Sequence, residues 1–192
     1  MKPIERGEIL GLRDYETIRP RFRDRVILEK KKRRVAIGPF ASAVFENRDT
    51  VLLQIQEMLR TERITREGAI QHEMDTYNQL VPGTRELSAT VMLEIPDPRE
   101  REAFLRKAAG IEKHVALLVD RQRVPATWDE NRVLPDRASA VLYLKFPLPY
   151  GACDSIRNGR ATVELVVDHP AYGARAVLGP EAVTSLAEDL AD

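Results

Sequence analysis

The sequence predicts an α+β fold: a mostly antiparallel sheet with an inserted helical hairpin and a basic N-terminal helix. Three observations predict it. Nine basic residues crowd Arg19 to Arg34 on a helical apolar stripe, a 3.6-residue apolar period runs from Val51 to Val81, and strict alternation sets in at Leu87. At 192 residues the chain is expected to form a single domain, able to bury roughly 70% of the surface its unfolded form exposes. Its expected parts are a basic helical segment over 1–34, the hairpin over 47–82, a sheet-rich part over 87–178 and a C-terminal helix over 180–190.

The elements follow in order. In the basic segment Ile18, Phe22, Val26 and Ile27 recur at helical spacing, with Arg21, Arg25, Lys31 and Lys32 off the stripe and Pro20 expected in the first turn, where proline is tolerated. Gly38-Pro39 punctuates two short strands, Val35 to Ile37 and Ala43 to Phe45. Val51, Leu52, Ile55, Met58 and Leu59 then form a helical stripe, opened by Asn47 as N-cap and Asp49 in the first turn. A second helix is expected from Thr65, as cap, through Ile70, Met74, Tyr77 and Val81 to Pro82-Gly83; the short connection makes the pair an antiparallel hairpin. Leu87 to Ile95 alternates apolar residues inward with Ser88, Thr90 and Glu94 outward. Asp97-Pro98 opens a charged helix that Gly110 closes. Strands follow at His114 to Val119, Arg123 to Trp128, Ala138 to Phe146, Ala161 to Val167 and Arg175 to Leu178, with Asp120-Arg121-Gln122 as a hairpin turn.

Composition excludes several functions. Apolar residues at 43% and charged residues at 31% exclude a disordered chain. The longest aliphatic run, Val115 to Val119, is far short of the roughly 20 residues a spanning helix needs, and residues 1–6 hold no apolar signal core, so no membrane association is expected and the cytoplasm is the expected location. The single cysteine, Cys153, excludes an intrachain disulfide or a metal cluster held by this chain's own thiolates, and no cofactor is expected. It falls in a Pro/Gly-rich stretch expected to be a turn. Thirty basic and thirty acidic residues cancel, yet nine of the basic ones against Asp24 and Glu29 leave a local excess of seven in the N-terminal helix. Only Phe22 interleaves that run, which leaves base stacking little to use and disfavours nucleic acid.

At about 100° per residue, Arg48 and Glu62 fall near the apolar stripe of the first hairpin helix, Gln54 and Gln56 flank it, and Glu73 and Asn78 flank that of the second. Arg48, Glu62, Glu73 and Asn78 are therefore expected as a partly buried polar cluster. It would be either an ion pair locking the hairpin or an anion clamp with a glutamate as general base. His72, Glu73 and Asp75 form the one candidate for a divalent metal, but their spacing misses the Glu-x-x-His pattern of carboxylate-bridged sites. Asp168-His169-Pro170 closes a strand, which puts His169 at a strand end beside Tyr172 as a further acid–base candidate, although the composition is also that of an ordinary turn. No nucleophile elbow and no phosphate-cradling glycine loop is present.

The strings Lys2-Pro3-Ile4-Glu5-Arg6, Phe45-Glu46-Asn47-Arg48-Asp49-Thr50, Gln54-Ile55-Gln56-Glu57-Met58, Glu62-Arg63-Ile64, Ile70-Gln71-His72-Glu73, Tyr77-Asn78, Leu87-Ser88-Ala89-Thr90 and Asp168-His169-Pro170 resemble the bacterial family known as domain of unknown function three-five-zero-one. The resemblance spans nearly the whole chain and implies no activity. It does imply neighbours, since members are encoded beside rubrerythrin-like and cysteine-rich iron–sulfur proteins. The expected function is thus an accessory or docking protein of a redox or peroxide-stress system, with an iron–sulfur or rubrerythrin-like partner. One alternative is an enzyme using the hairpin cluster, with or without a metal. Another is phosphate or nucleic-acid binding through Arg21, Arg25, Lys31 and Lys32. A homo-oligomer is left open.

Overall fold

The computed structural model describes residues 1–190. In chain order the elements are α1 (Leu12–Arg33), β1 (Arg34–Ile37), β2 (Ala41–Glu46), α2 (Arg48–Thr61), α3 (Glu67–Asn78), β3 (Glu86–Leu93) and α4 (Pro98–Lys107). They continue with β4 (Val115–Val119), β5 (Gln122–Pro125), β6 (Val141–Pro147), α5 (Tyr150–Arg157), β7 (Val163–His169), β8 (Tyr172–Val177) and α6 (Pro180–Asp189). The fold is α+β. The strands form two four-stranded antiparallel sheets, ordered β1-β2-β3-β6 and β5-β4-β7-β8, where one was expected. The main core takes apolar residues from both sheets together with α4, α5 and α6.

The first sheet is covered on both faces. Leu87, Ala89, Val91 and Leu93 enter the main core as the alternation predicts, but Ser88 and Thr90 on the opposite face are also buried. A second apolar cluster explains this: Val51, Ile55 and Leu59 of α2 and Ile70 and Met74 of α3 pack with Ile4 and Ile9 and reach Tyr143 of β6. The hairpin is a lid on the polar side of the sheet.

Local chemistry accounts for most element ends. The Asn47 side chain accepts from the Thr50 amide, capping α2 as expected. Thr65 does not cap α3; Arg66 holds that position without a side-chain cap, and α3 stops at Asn78. Gly38 opens the β1–β2 turn at φ +70°, and a Cβ there would lie 2.6 Å from the Tyr172 hydroxyl, so both backbone angle and space require glycine. Asp120 and Arg121, both at positive φ, make the two-residue turn between β4 and β5.

Two expectations fail for stated reasons. Pro20 lies inside α1, not in its first turn, because the helix begins at Leu12; Pro20 is exposed, so solvent can replace the hydrogen bond it removes. The buried stripe of α1 is accordingly Tyr15, Val26 and Arg33, while Ile18 is exposed. The stretch around Cys153 is helix α5, not a turn. There Ala152, Cys153 and Ile156 pack into the core at i, i+1 and i+4, and that burial outweighs the poor propensity of Gly151.

Candidate functional site

The residues expected to form a hairpin cluster are separated. Arg48, at the start of α2, donates to the Glu8 carboxylate and to the carbonyl oxygens of Lys2 and Pro3. Glu62 is the C-cap at the opposite end of that helix and is exposed. Glu73 is half-buried on α3. The Asn78 side chain accepts from the Ile4 amide at 2.8 Å and donates to the Ile4 carbonyl at 2.9 Å. Gln56 does the same for Leu10, accepting at 2.7 Å and donating at 3.3 Å. Three of the expected binding residues, Arg48, Gln56 and Asn78, thus hold the protein's own N-terminal arm. Angular position put Arg48 near the apolar stripe and Gln56 and Asn78 at its flanks, but it could not show that residues 1–10 fill the space beside them.

Tyr15 and Arg19 of α1 fasten the next segment. Both bond to Glu57, at 2.7 Å for the tyrosine hydroxyl and 2.7 and 2.9 Å for the guanidinium. The Arg19 hydrogen bonds pull the Glu57 carboxyl down to about 2. Tyr15, buried against it, is pushed well above the ordinary phenol range.

On α3 His72 is exposed and Asp75 accepts from Gln71 at 2.8 Å. Among the described residues no group of three or more His, Cys, Asp or Glu is placed to hold a metal, so His72, Glu73 and Asp75 are not brought together. His169 ends β7 opposite Tyr172, and its Nδ1 accepts from the Ala171 amide at 3.1 Å. It meets His114 edge to face at 4.9 Å, and Asp168 pairs with Arg123 at 2.8 Å and lies 3.3 Å from His114 Nδ1. The Tyr172 hydroxyl is committed to the Ile37 carbonyl, and its ring packs on Phe40 and Phe104.

Two further features stand out. The first is a basic cleft where the C-terminal end of α1 meets the outer strands β1 and β8 and the start of α6. Lys31, Lys32, Arg34 and Arg175 line it, with Glu181 as the facing acid. Lys32 has only a distant partner, Glu29 at 3.7 Å, while Arg34 donates to Ser42 Oγ at 3.1 Å and lies 3.7 Å from Glu94. Arg25, one turn and more up the helix, is already paired with Asp49 and lies over the Phe22 ring. Two large apolar side chains stand exposed at this end, Leu28 at 60% and Val177 at 65%. Leu28 precedes Lys31 and Lys32 by three and four residues and therefore shares their helix face.

The second is a pocket of about 350 Å³ between the end of α3, the β3–β6 pair and the segment after β5. Gln79 and Leu80 line it from the end of α3, Ser88, Tyr143 and Lys145 from the strands, and Thr127, Trp128, Asp129 and Arg132 from the segment after β5. Thr127 bridges to Lys145, exchanging backbone bonds at 2.7 and 2.8 Å, which ties the two sheets together at this point. A second, much smaller space of about 30 Å³ adjoins it, lined by Glu112, Arg137 and Leu142, and Trp128 lines both spaces. Trp128 was expected inside a strand, but β5 stops at Pro125, leaving the indole free to line the pocket.

Residues 3–190 match the model of the family described as protein of unknown function (DUF3501), and the chain belongs to that family. It is also similar, at a TM-score of 0.92 and 37% identity, to the crystal structure of a novel protein of unknown function from Burkholderia pseudomallei K96243, over 98% of this chain and 100% of that one. No curated protein is similar to it. No helix among the described residues is long and apolar enough to cross a membrane.

Proposed function

We propose that the protein is a non-catalytic accessory component of a cytoplasmic redox or peroxide-stress system, docking through its basic cleft onto an acidic face of an iron–sulfur or rubrerythrin-like partner. The observation that carries this is the convergence of four cations from three elements beside two exposed apolar side chains. Opposite charge speeds and orients encounter, while desolvating Leu28 and Val177 would hold the complex. Lys31 and Arg175 have no acidic partner within ion-pair distance among the described residues, so a partner's carboxylates would not have to displace an internal one. The class of partner comes from the family resemblance alone.

Co-purification from the native host tests the proposal. The chain should carry the partner at low salt and lose it as the screening length shortens from about 10 Å at 0.1 M toward about 3 Å at 1 M. Lys31→Glu with Arg175→Glu should weaken retention about tenfold or more. Recovery of the chain alone at both low and moderate salt overturns the docking reading.

A further inference from the structure

Among the described residues, three buried side-chain atoms have no hydrogen-bond partner in the protein: Ser88 Oγ, Glu112 Oε1 and Trp128 Nε1. Ser88 and Trp128 line the pocket beside α3, and Trp128 and Glu112 line the adjoining space of about 30 Å³. Ser88 is 1% exposed and Glu112 4%, so neither side chain is served by bulk water. Elsewhere among the described residues the buried polar side-chain atoms are paired, as buried polar groups are in general. Concentration of the exceptions on two adjoining spaces that share Trp128 marks them as a binding site, because a ligand can supply the bonds that the protein withholds.

The donors and acceptors define the ligand. An indole N–H only donates, an ionised carboxylate only accepts, and a serine hydroxyl does either. The occupant must therefore present an acceptor to Trp128 and a donor to Glu112. The cations on the walls are already engaged: Lys145 with Glu86 at 2.7 Å, Arg132 with Gln79 at 3.2 Å, and Arg137 with Glu102 at 2.6 Å. An anionic ligand meets the Asp129 and Glu112 carboxylates and a cationic one meets Arg132 and Arg137, so an uncharged occupant avoids both repulsions. Arg132 lies 5.0 Å over the Tyr143 ring, and Trp128 and Leu80 add apolar lining suited to a ring.

We propose that this pocket binds a small uncharged heteroaromatic molecule bearing an N–H donor beside a ring-nitrogen or carbonyl acceptor, of nucleobase size and chemistry. Trp128 is the only tryptophan in the chain, so its fluorescence and its single indole N–H resonance report on the site directly. The full chain is titrated with adenine, cytosine and nicotinamide, and with benzoate and benzylamine as anionic and cationic rings of similar size. At least one of the three neutral ligands should give a saturable change in both signals, with the charged rings at least tenfold weaker. Glu112→Leu and Ser88→Ala should each weaken that binding about tenfold or more, with the melting temperature unchanged or raised. Three results overturn the proposal. One is no saturable response to any neutral ligand, which would leave water as the occupant. The second is equal binding of benzoate or benzylamine. The third is full retention of binding in Ser88→Ala together with a large drop in melting temperature in Glu112→Leu.

Discussion

Two buried carboxylates receive opposite treatment. Glu46, 3% exposed at the end of β2, accepts from the hydroxyls of Thr50 and Thr90, so its strand, the first turn of α2 and β3 are bound through one side chain. Glu112, 4% exposed, has an oxygen that no group of the protein reaches. The same contrast holds for cations: Arg33, 1% exposed in α1, is met by Glu29 and Asp189, while Lys31 and Arg175 of the basic cleft stand open. Where this chain buries charge to hold itself together it completes every bond. Where bonds are left open, the group lines a cavity or a cleft, and that difference separates architecture from function more sharply than residue type does.

The largest expected effect is at Arg33. Its guanidinium joins α1 to α6 through Glu29 at 2.7 Å, both oxygens of Asp189, and the Ser185 carbonyl at 3.0 Å. Arg33→Ala strands the Asp189 carboxylate and should cost about 3–5 kcal/mol in denaturant melts. Burial holds the Asp189 carboxyl above its ordinary value even with Arg33 against it, so desolvation is the dominant cost of this pair. Arg33→Met combined with Asp189→Leu should therefore recover much of the loss. A single Arg33→Ala variant as stable as the parent would place Arg33 with the open groups instead.

A middle effect is expected at Glu46. Glu46→Leu leaves the Thr90 hydroxyl without its acceptor beneath the hairpin and should destabilise by about 1–3 kcal/mol, read from the same melts. Adding Thr90→Val removes the orphaned hydroxyl and should return part of that loss, which a double-mutant cycle measures. A loss at Glu46 set against no loss at Glu112 is the comparison in its simplest form. Equal losses would make Glu112 a structural residue.

Much of the fold was legible from pattern. The stripe from Val51 to Leu59, the Asn47 cap, the alternation of β3 and the turns at Gly38-Pro39 and Asp120-Arg121 all have local causes, and local causes are what sequence spacing records. What was illegible is what depends on a second surface. Ser88 and Thr90 read as solvated because nothing in their own strand shows that α2 and α3 lie over them. Arg33 read as one more cation in a basic run, since its acids come from one turn back and from α6. The N-terminal arm took up Arg48, Gln56 and Asn78, which is why strings rich in polar residues pointed to the hairpin as a site. The pocket gave no signal at all, because Ser88, Glu112 and Trp128 are ordinary residues until the irregular stretch from Thr127 to Ala140 brings them together.

The smallest expected effect sharpens the contrast from its middle. Glu57 is paired like Glu46 but sits 29% exposed between α1 and α2, bonded to Arg19 and Tyr15. Its carboxyl is held at about 2, first by the Arg19 hydrogen bonds, against an ordinary value near 4.5. A carboxyl depressed in the folded state contributes stability that is fully present above the unfolded value and is lost as pH falls through the folded one. The loss therefore falls between about pH 4.5 and pH 2. Solvent screens a pair this exposed, so the contribution should be about 1 kcal/mol, well under what the full shift would give. Glu57→Gln should flatten the acid limb of stability against pH by that amount and leave stability above pH 6 lower by the same margin. If the acid limb of the Gln variant still overlays that of the parent after the vertical offset, the Arg19–Glu57 pair contributes nothing, and α1 is held against α2 at this point by the burial of Tyr15.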